Sequence, residues 1–310
     1  MSGKRVSKHE KRQRRRDARD ITYAAEAETR SGRAMIRVME NATGRLSLMK
    51  RANGYAEEVR RGGNFWEIMV QRYGVTLDIV GGSLDNIPRH GPVVVVANHP
   101  YGILDGLILG YVMSRARGDF RILANRVFRR AADLDRIILP ISFEATKEAT
   151  ALNIATRKTS LHYLSQGGAI GVFPGGTVST AAKPFARPMD PNWRSFTARM
   201  IAKSEAQVVP IFFEGQNSRL FQMASRMHAT LRTGLFIKEF KKGIKKPVRM
   251  VVGEPIPRAE INAYRADARA MMDFLRERTY ALSPEPLDAS QIGFEFEGKA
   301  GNGPRMRDWY

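Results

Sequence analysis

The stretch Val93-Val94-Val95-Val96-Ala97-Asn98-His99-Pro100-Tyr101-Gly102-Ile103-Leu104-Asp105 organises the reading of the whole chain. Its first five residues form an unbroken apolar, mostly β-branched run, the pattern of a strand buried on both faces. Gly91-Pro92 marks a turn before it, and Leu104–Arg117 predicts a helix after it. A buried strand that passes through a short turn into a helix is half of a βαβ unit, so the expected sheet is parallel. In such sheets ligands sit at the C-terminal edge of the strands, where Asn98 and His99 fall.

The same pattern recurs on both sides. Val75, Leu77 and Ile79 alternate with polar residues as a strand, and Arg121–Ala124, Ile137–Ile141, Ala169–Phe173, Gln207–Phe213 and Val248–Val252 read as further buried strands. Helices are expected at 147–166, 192–205 and 219–232, and Ile261, Tyr264, Ala268, Met271, Leu275, Thr279 and Leu282 give one face of a closing helix. The fold class is therefore α/β, a mostly parallel sheet flanked by helices. Residues 21–50 and 54–73 read as two N-terminal helices, and Phe65, Trp66, Met69 and Tyr73 form a stripe that is either core or a lipid-dipping face. The expected organisation is a basic disordered arm at 1–20, N-terminal helices at 21–74, the α/β domain at 75–282 and an irregular tail at 283–310.

The 310 residues carry 51 Lys+Arg against 31 Asp+Glu, a net charge of +20. Nine basic side chains and three acids fall in the first twenty residues, with no apolar face to fold on. Such a chain is drawn to a polyanion, either nucleic acid or an anionic membrane surface. Besides the arm, Arg126, Arg129 and Arg130 and the group Lys241, Lys242, Lys245 and Lys246 are candidate contacts. Cysteine is absent, which excludes disulfides, thiolate metal sites and a cysteine nucleophile. No apolar run reaches the roughly 18–20 residues of a membrane-spanning helix. The N-terminus is polar and basic with no apolar segment behind it, so no secretory signal is expected and the cytoplasm is the expected compartment.

His99 and Asp105 are the pairing that general-base chemistry needs: the imidazole accepts a proton, and the carboxylate fixes its tautomer and stabilises the imidazolium. The same two residues could instead be a loop histidine and a helix-capping acid. The Gly-x-Ser-x-Gly elbow of the serine hydrolases is missing. The other histidines, His9, His90, His162 and His228, show no metal-ligand spacing, so no metal is expected.

Four blocks in order, Asn98-His99 with Asp105, Ile122-Leu123-Ala124-Asn125-Arg126, Phe173-Pro174-Gly175-Gly176-Thr177-Val178-Ser179 and Val208-Val209-Pro210-Ile211, resemble the PlsC-like glycerolipid acyltransferases, the lysophosphatidic acid acyltransferase family. The family has four residues between the histidine and the aspartate; here there are five, as in the branch that includes lyso-ornithine lipid and hemolysin-like acyltransferases. Gly102 could absorb the extra residue as a tight bend. The family's third block reads Phe-Pro-Glu-Gly-Thr-Arg-Ser; this chain keeps Phe173, Pro174, Gly176, Thr177 and Ser179 but has Gly175 for the acid and Val178 for the arginine.

The resemblance implies a glycerol-phosphate-acyltransferase-like fold, with 75–282 as the acyltransferase domain. It implies transfer of a fatty acyl group from a thioester, on acyl carrier protein or coenzyme A, to the hydroxyl of a lyso-lipid. His99 and Asp105 would be catalytic, and Asn98, Arg126, Phe173, Pro174, Gly175, Gly176, Thr177, Ser179 and Pro210 would bind substrate. No cofactor is implied beyond the acyl-ACP or acyl-CoA co-substrate. A loop that has lost its cation suits a phosphate poorly, so a lyso-aminolipid such as lyso-ornithine lipid is the expected acceptor. Lysophosphatidic acid or another lysophospholipid is the alternative, with Arg126 or Arg129 supplying the charge. The expected location is the cytoplasmic face of the inner membrane, as a peripheral protein held by an anionic membrane surface. With no zinc-finger spacing and no aromatic RNA-binding signature, a nucleic-acid-binding protein is the distant alternative and no specific nucleic acid is expected.

Overall fold

The computed structural model describes residues 22–24, 27, 29–125, 128–129, 132–142 and 146–295. The expected arm at 1–20, Arg126, Arg130 and the tail from 296 onward lie outside the described residues.

The main sheet is built from β1 (Leu77–Gly82), β2 (Val93–Ala97), β3 (Arg121–Asn125), β4 (Ile138–Ile141), β5 (Ala169–Val172), β8 (Gln207–Phe213) and β9 (Val248–Val252), with β6 (Thr180–Ala181) and β7 (Pro188–Met189) forming a separate small ribbon. The main order is β1-β9-β8-β2-β5-β3-β4. Every neighbouring pair is parallel except β8 with β9. The mostly parallel α/β expectation therefore holds, and β2, the all-apolar run, lies at the centre.

The period of two along β2 distributes its side chains between two cores. Val93, Val95 and Ala97 face α4 (Phe65–Tyr73), α5 (Ile103–Arg117) and α10 (Ala229–Gly243) through Trp66, Met69, Ile108, Val112 and Phe240. Val94 and Val96 face the other way, toward α7 (Lys147–Ser165), α8 (Ser195–Ala202) and α12 (Ala268–Tyr280), through Leu164, Met200, Met271 and Leu275. The N-terminal stripe is thus core: Trp66, Met69 and Tyr73 are buried against the sheet domain.

Several helices are shorter than the apolar periodicity predicts. The 21–50 stretch yields α1 (Arg30–Thr43) and α2 (Arg45–Ala52), because Gly44 between them sits at φ +130 and caps the first helix through its N–H to Glu40. The 54–73 stretch splits at Gly62-Gly63 into α3 (Tyr55–Arg60) and α4. A short α6 spans Ala132–Asp135. The 219–232 stretch divides at His228 into α9 (Arg219–Met227) and α10, which runs on to Gly243. The closing helix divides into α11 (Arg258–Ala263) and α12, since the Asp267 side chain accepts from the N–H groups of Arg269 and Ala270 and starts a new helix.

Candidate functional site

Strands β2, β5 and β8 are adjacent and parallel, so their C-terminal ends open on one edge. Register then decides who meets whom. Val96 pairs with Val172, so His99 leaves the sheet beside Phe173. The imidazole stacks on the Phe173 ring with centroids 4.0 Å apart and planes inclined by 21°. Stacking of this kind is worth about 0.5–1.5 kcal/mol and holds the ring plane. On the other side Ala97 pairs with Ile211, which brings Asn98 to the end of β8. Asn98 donates from Nδ2 to the Phe213 carbonyl at 2.9 Å and accepts the Phe213 N–H at 2.6 Å, extending the ladder with its side chain. Its place is a brace between two strand ends.

The turn after β2 brings Asp105 back to the histidine. Gly102 stands at φ +87, ψ −104, a conformation that favours glycine, and α5 starts at the next residue. A Cβ on Gly102 would lie 3.0 Å from Val178 and 3.2 Å from Phe236. This bend takes up the fifth intervening residue. Asp105, in the first turn of α5, has no exposed surface. Its Oδ2 accepts the Tyr101 N–H at 2.7 Å and the Gly102 N–H at 2.9 Å, and lies 3.0 Å from His99 Nδ1. The capping role and the histidine contact therefore fall on one oxygen. The ring is turned so that Nδ1 is at hydrogen-bonding distance without full alignment, and Asp105 Oδ1 has no hydrogen-bond partner among the described residues. Alignment of this kind often tightens when substrate arrives. Burial raises the Asp105 carboxyl above its ordinary value, against the lowering contributions of His99 and the two backbone donors. Tyr101, pushed up to about 12 by burial and by the charges of Asp105 and Glu214, stays a neutral phenol and donates to the Glu214 carbonyl at 2.9 Å.

One residue here was not found from the sequence. Asp190, fully buried, accepts the His99 N–H at 3.1 Å and the Ser179 hydroxyl at 2.5 Å on Oδ1, and the Trp193 indole N–H at 2.9 Å on Oδ2. Its own N–H donates to Tyr280, whose phenol is raised by burial and by the Asp190 charge. Ser179 closes the ring, its N–H donating to the His99 carbonyl at 2.8 Å. Asp190 thus ties the His99 loop to the loop after β5. A Cβ on Gly175 would lie 3.4 Å from Asp190 Cβ and 3.5 Å from its Cγ. An acid at 175, as in the family pattern, would point at a carboxylate already there. The missing acid at 175 was the one sequence signal here, and Asp190 itself follows a ribbon that no local pattern announced.

The remaining residues of the Phe173–Ser179 block line the same edge. The Gly176 N–H closes a turn onto the Phe173 carbonyl at 3.0 Å, and the Pro174 carbonyl accepts the Arg194 N–H at 2.9 Å. Val178 is buried against Phe221 and Leu235, facing α9 and α10. A cation nevertheless reaches this loop from α10: Arg232 Nη2 donates to Thr177 Oγ1 at 2.5 Å and to the Val178 carbonyl at 3.2 Å. The expectation of a loop without a cation therefore holds at position 178 and not for the loop as a whole. Arg129 is paired with Asp135 at 2.7 Å, and Arg126 lies outside the described residues. Pro210 sits inside β8 opposite Val96, its carbonyl accepting the Gly253 N–H at 2.9 Å, three positions short of the edge. Among the described residues no group of His, Asp and Glu forms a metal-ligand set, and no helix is long and apolar enough to cross a membrane.

The arrangement is suited to proton abstraction at a strand edge: Asp105 on Nδ1 leaves Nε2 of a partly exposed imidazole for an incoming hydroxyl. The chain is 25% identical over 228 residues to a lyso-glycine lipid O-acyltransferase of Phocaeicola vulgatus, covering 71% of this chain and 78% of that one. It is 24% identical to a protein of the same description from Bacteroides thetaiotaomicron, with 71% and 80% covered. The crystal structure of the 1-acyl-sn-glycerophosphate acyltransferase PlsC from Thermotoga maritima superposes with a TM-score of 0.43 at 15% identity, over 72% of this chain and 83% of that one. The family model described as Acyltransferase matches residues 58–290, so it takes in α4 and the start of the tail as well as the sheet, and this chain belongs to the acyltransferase family.

Proposed function

We propose that this enzyme is a lyso-lipid O-acyltransferase working at a membrane surface, with a lyso-aminolipid as acceptor. The observation that carries the reading is the 3.0 Å approach of His99 Nδ1 to a buried Asp105 Oδ2, beside the Phe173–Ser179 loop. In this reading His99 Nε2 takes the proton of the acceptor hydroxyl, whose oxygen attacks the thioester carbonyl. Asp105 holds the tautomer and offsets the imidazolium charge. Collapse of the tetrahedral intermediate forms the ester and expels a thiolate, which takes the proton back. A base of this kind supplies about 10²–10⁴-fold. The oxyanion needs N–H donors. Tyr101 and Gly102 have given theirs to Asp105, His99 to Asp190, Gly176 to Phe173 and Ser179 to His99, so the donors on this loop come from the N–H groups of Gly175, Thr177 and Val178.

The relatives favour an amino-acid head group over a phosphate, since both are described as lyso-glycine lipid O-acyltransferases. Val178 is buried where the family pattern carries its arginine, and the Arg232 guanidinium that reaches the loop instead is engaged by Thr177 Oγ1 and the Val178 carbonyl. The purified protein is tested with an acyl thioester, on carrier protein and on coenzyme A, against lyso-glycine lipid, lyso-ornithine lipid and lysophosphatidic acid. Faster acylation of the aminolipids, lost in His99→Ala, is the expected result. Faster acylation of lysophosphatidic acid overturns the acceptor, and activity that survives His99→Ala overturns the mechanism.

A further inference from the structure

Helices α1 and α9 both pack on α10, and both leave an apolar stripe on the outside. On α9, at about 100° per residue, Leu220, Met223 and Met227 fall within an arc of about 60°, and they are 48%, 58% and 70% exposed. Arg219 and Arg226 fall together on one flank of that stripe. The opposite side of the helix is core, with Phe221 and Ala224 buried against Val178 and Leu235. On α1 Met35 and Val38 are also exposed, within about 60° of each other, although Arg33 and Arg37 lie on the far side of that helix beside Glu40. Phe185, the one non-glycine residue at positive φ among those described, is 86% exposed beside α9, with Arg219 5.8 Å from its ring centroid.

We infer that α9, flanked by Phe185 and α1, is the surface on which this enzyme sits on an anionic bilayer. Large apolar side chains in helical register, with arginines alongside, are what an interfacial helix presents: the apolar stripe enters the acyl boundary and the guanidinium groups meet phosphate. Position relative to the site supports the same occupant. The inner side of α9 lies on the acceptor loop, where Gln222 Oε1 accepts the Ala181 N–H at 3.0 Å and Phe221 packs on Val178. A bilayer on the outer side is then about one helix diameter, 10–12 Å, from that loop. A lyso-lipid could offer its hydroxyl there while much of its acyl chain stays in the membrane. The inference rests on the lyso-lipid reading above for its purpose, but its test does not require turnover.

The full chain is sedimented with phosphatidylcholine vesicles with and without phosphatidylglycerol, as wild type and as M223E/M227E. Both methionines are exposed and outside the site, so the variant is expected to keep its thermal midpoint and its activity on acceptor dispersed in detergent. The wild type is expected to bind the anionic vesicles, and the variant to bind them at least about tenfold more weakly. Arg219→Gln is expected to weaken binding to anionic vesicles only. Equal sedimentation of wild type and M223E/M227E overturns the inference. So does a variant whose only defect is a raised KM for acyl carrier protein in detergent, which would make this face a carrier-docking surface. Failure of the enzyme to acylate any lyso-lipid would leave the vesicle result standing.

Discussion

Replacing Asp105 by asparagine should separate activity from stability. The amide oxygen can stay where Oδ2 is and keep accepting the Tyr101 and Gly102 N–H groups, so the turn into α5 is retained. What is lost is the charge facing His99 Nδ1 at 3.0 Å. Without it the imidazolium has no counter-ion, and kcat/KM is expected to fall about 10²–10⁴-fold, which is about 2.7–5.5 kcal/mol of transition-state stabilisation. Stability should respond differently. Burial raises the Asp105 carboxyl, so the fold binds that proton more tightly than the unfolded chain does. Its contribution to stability is complete below the unfolded value of about 3.9 and is lost as pH rises through the higher folded value. Asparagine has no such loss. The difference between D105N and wild type should therefore shift in favour of the variant as pH rises from about 4 toward neutrality. The buried amide nitrogen at the partnerless Oδ1 position costs about 1–3 kcal/mol throughout. Turnover is read by thiol release, for which a cysteine-free enzyme has no background of its own, and stability by urea unfolding across pH. A rate loss under tenfold, or a variant whose deficit grows with pH, would refute the reasoning.

Asp190→Ala removes the acceptor of three buried donors, on His99, Ser179 and Trp193, and should cost about 3–5 kcal/mol in denaturant unfolding together with much of the activity. Gly175→Glu should harm the wild type more than the Asp190→Ala background, since its first carbon already lies 3.5 Å from the Asp190 carboxyl carbon; additive losses in thermal midpoint and turnover would show the two positions to be independent. Gly110→Ala would put a methyl 2.2 Å from the Trp66 ring, an overpacking of about 1–3 kcal/mol, with turnover of the folded fraction unchanged because the contact is on α5 away from Asp105. Gly215→Ala, at φ +116 with its Cβ 1.8 Å from the Tyr101 hydroxyl, should displace Tyr101 and lower kcat, whereas Gly91→Ala, also at positive φ but in open space, should leave kcat unchanged.

The sheet was legible because its central strands, β2, β5 and β8, are buried on both faces and burial leaves a mark in nearly every residue, while β1 at the edge and β9 beside it are only partly covered. Val93–Ala97, Gln207–Phe213 and Val248–Val252 match the observed strands residue for residue. Helix lengths were less legible: Gly44, His228 and Asp267 end or start helices within stretches whose apolar spacing continues across the break. His99 and Asp105 could be named in advance because a strand, a turn and the first turn of a helix are contiguous, and local geometry alone returns residue 105 to residue 99.

What the amino-acid order determined by itself was therefore the α/β class, the central strand and the histidine–carboxylate pair, all of which depend on periodicity or on neighbours in the chain. Only the tertiary structure decided which groups surround that pair. Parallel register set Phe173 under the imidazole and Asn98 against Phe213, and packing brought Asp190 to the His99 backbone and Arg232 to Thr177. Those contacts span tens of residues, and nothing in a single chain's local pattern encodes which distant donor will find which buried acceptor until the strands are laid side by side.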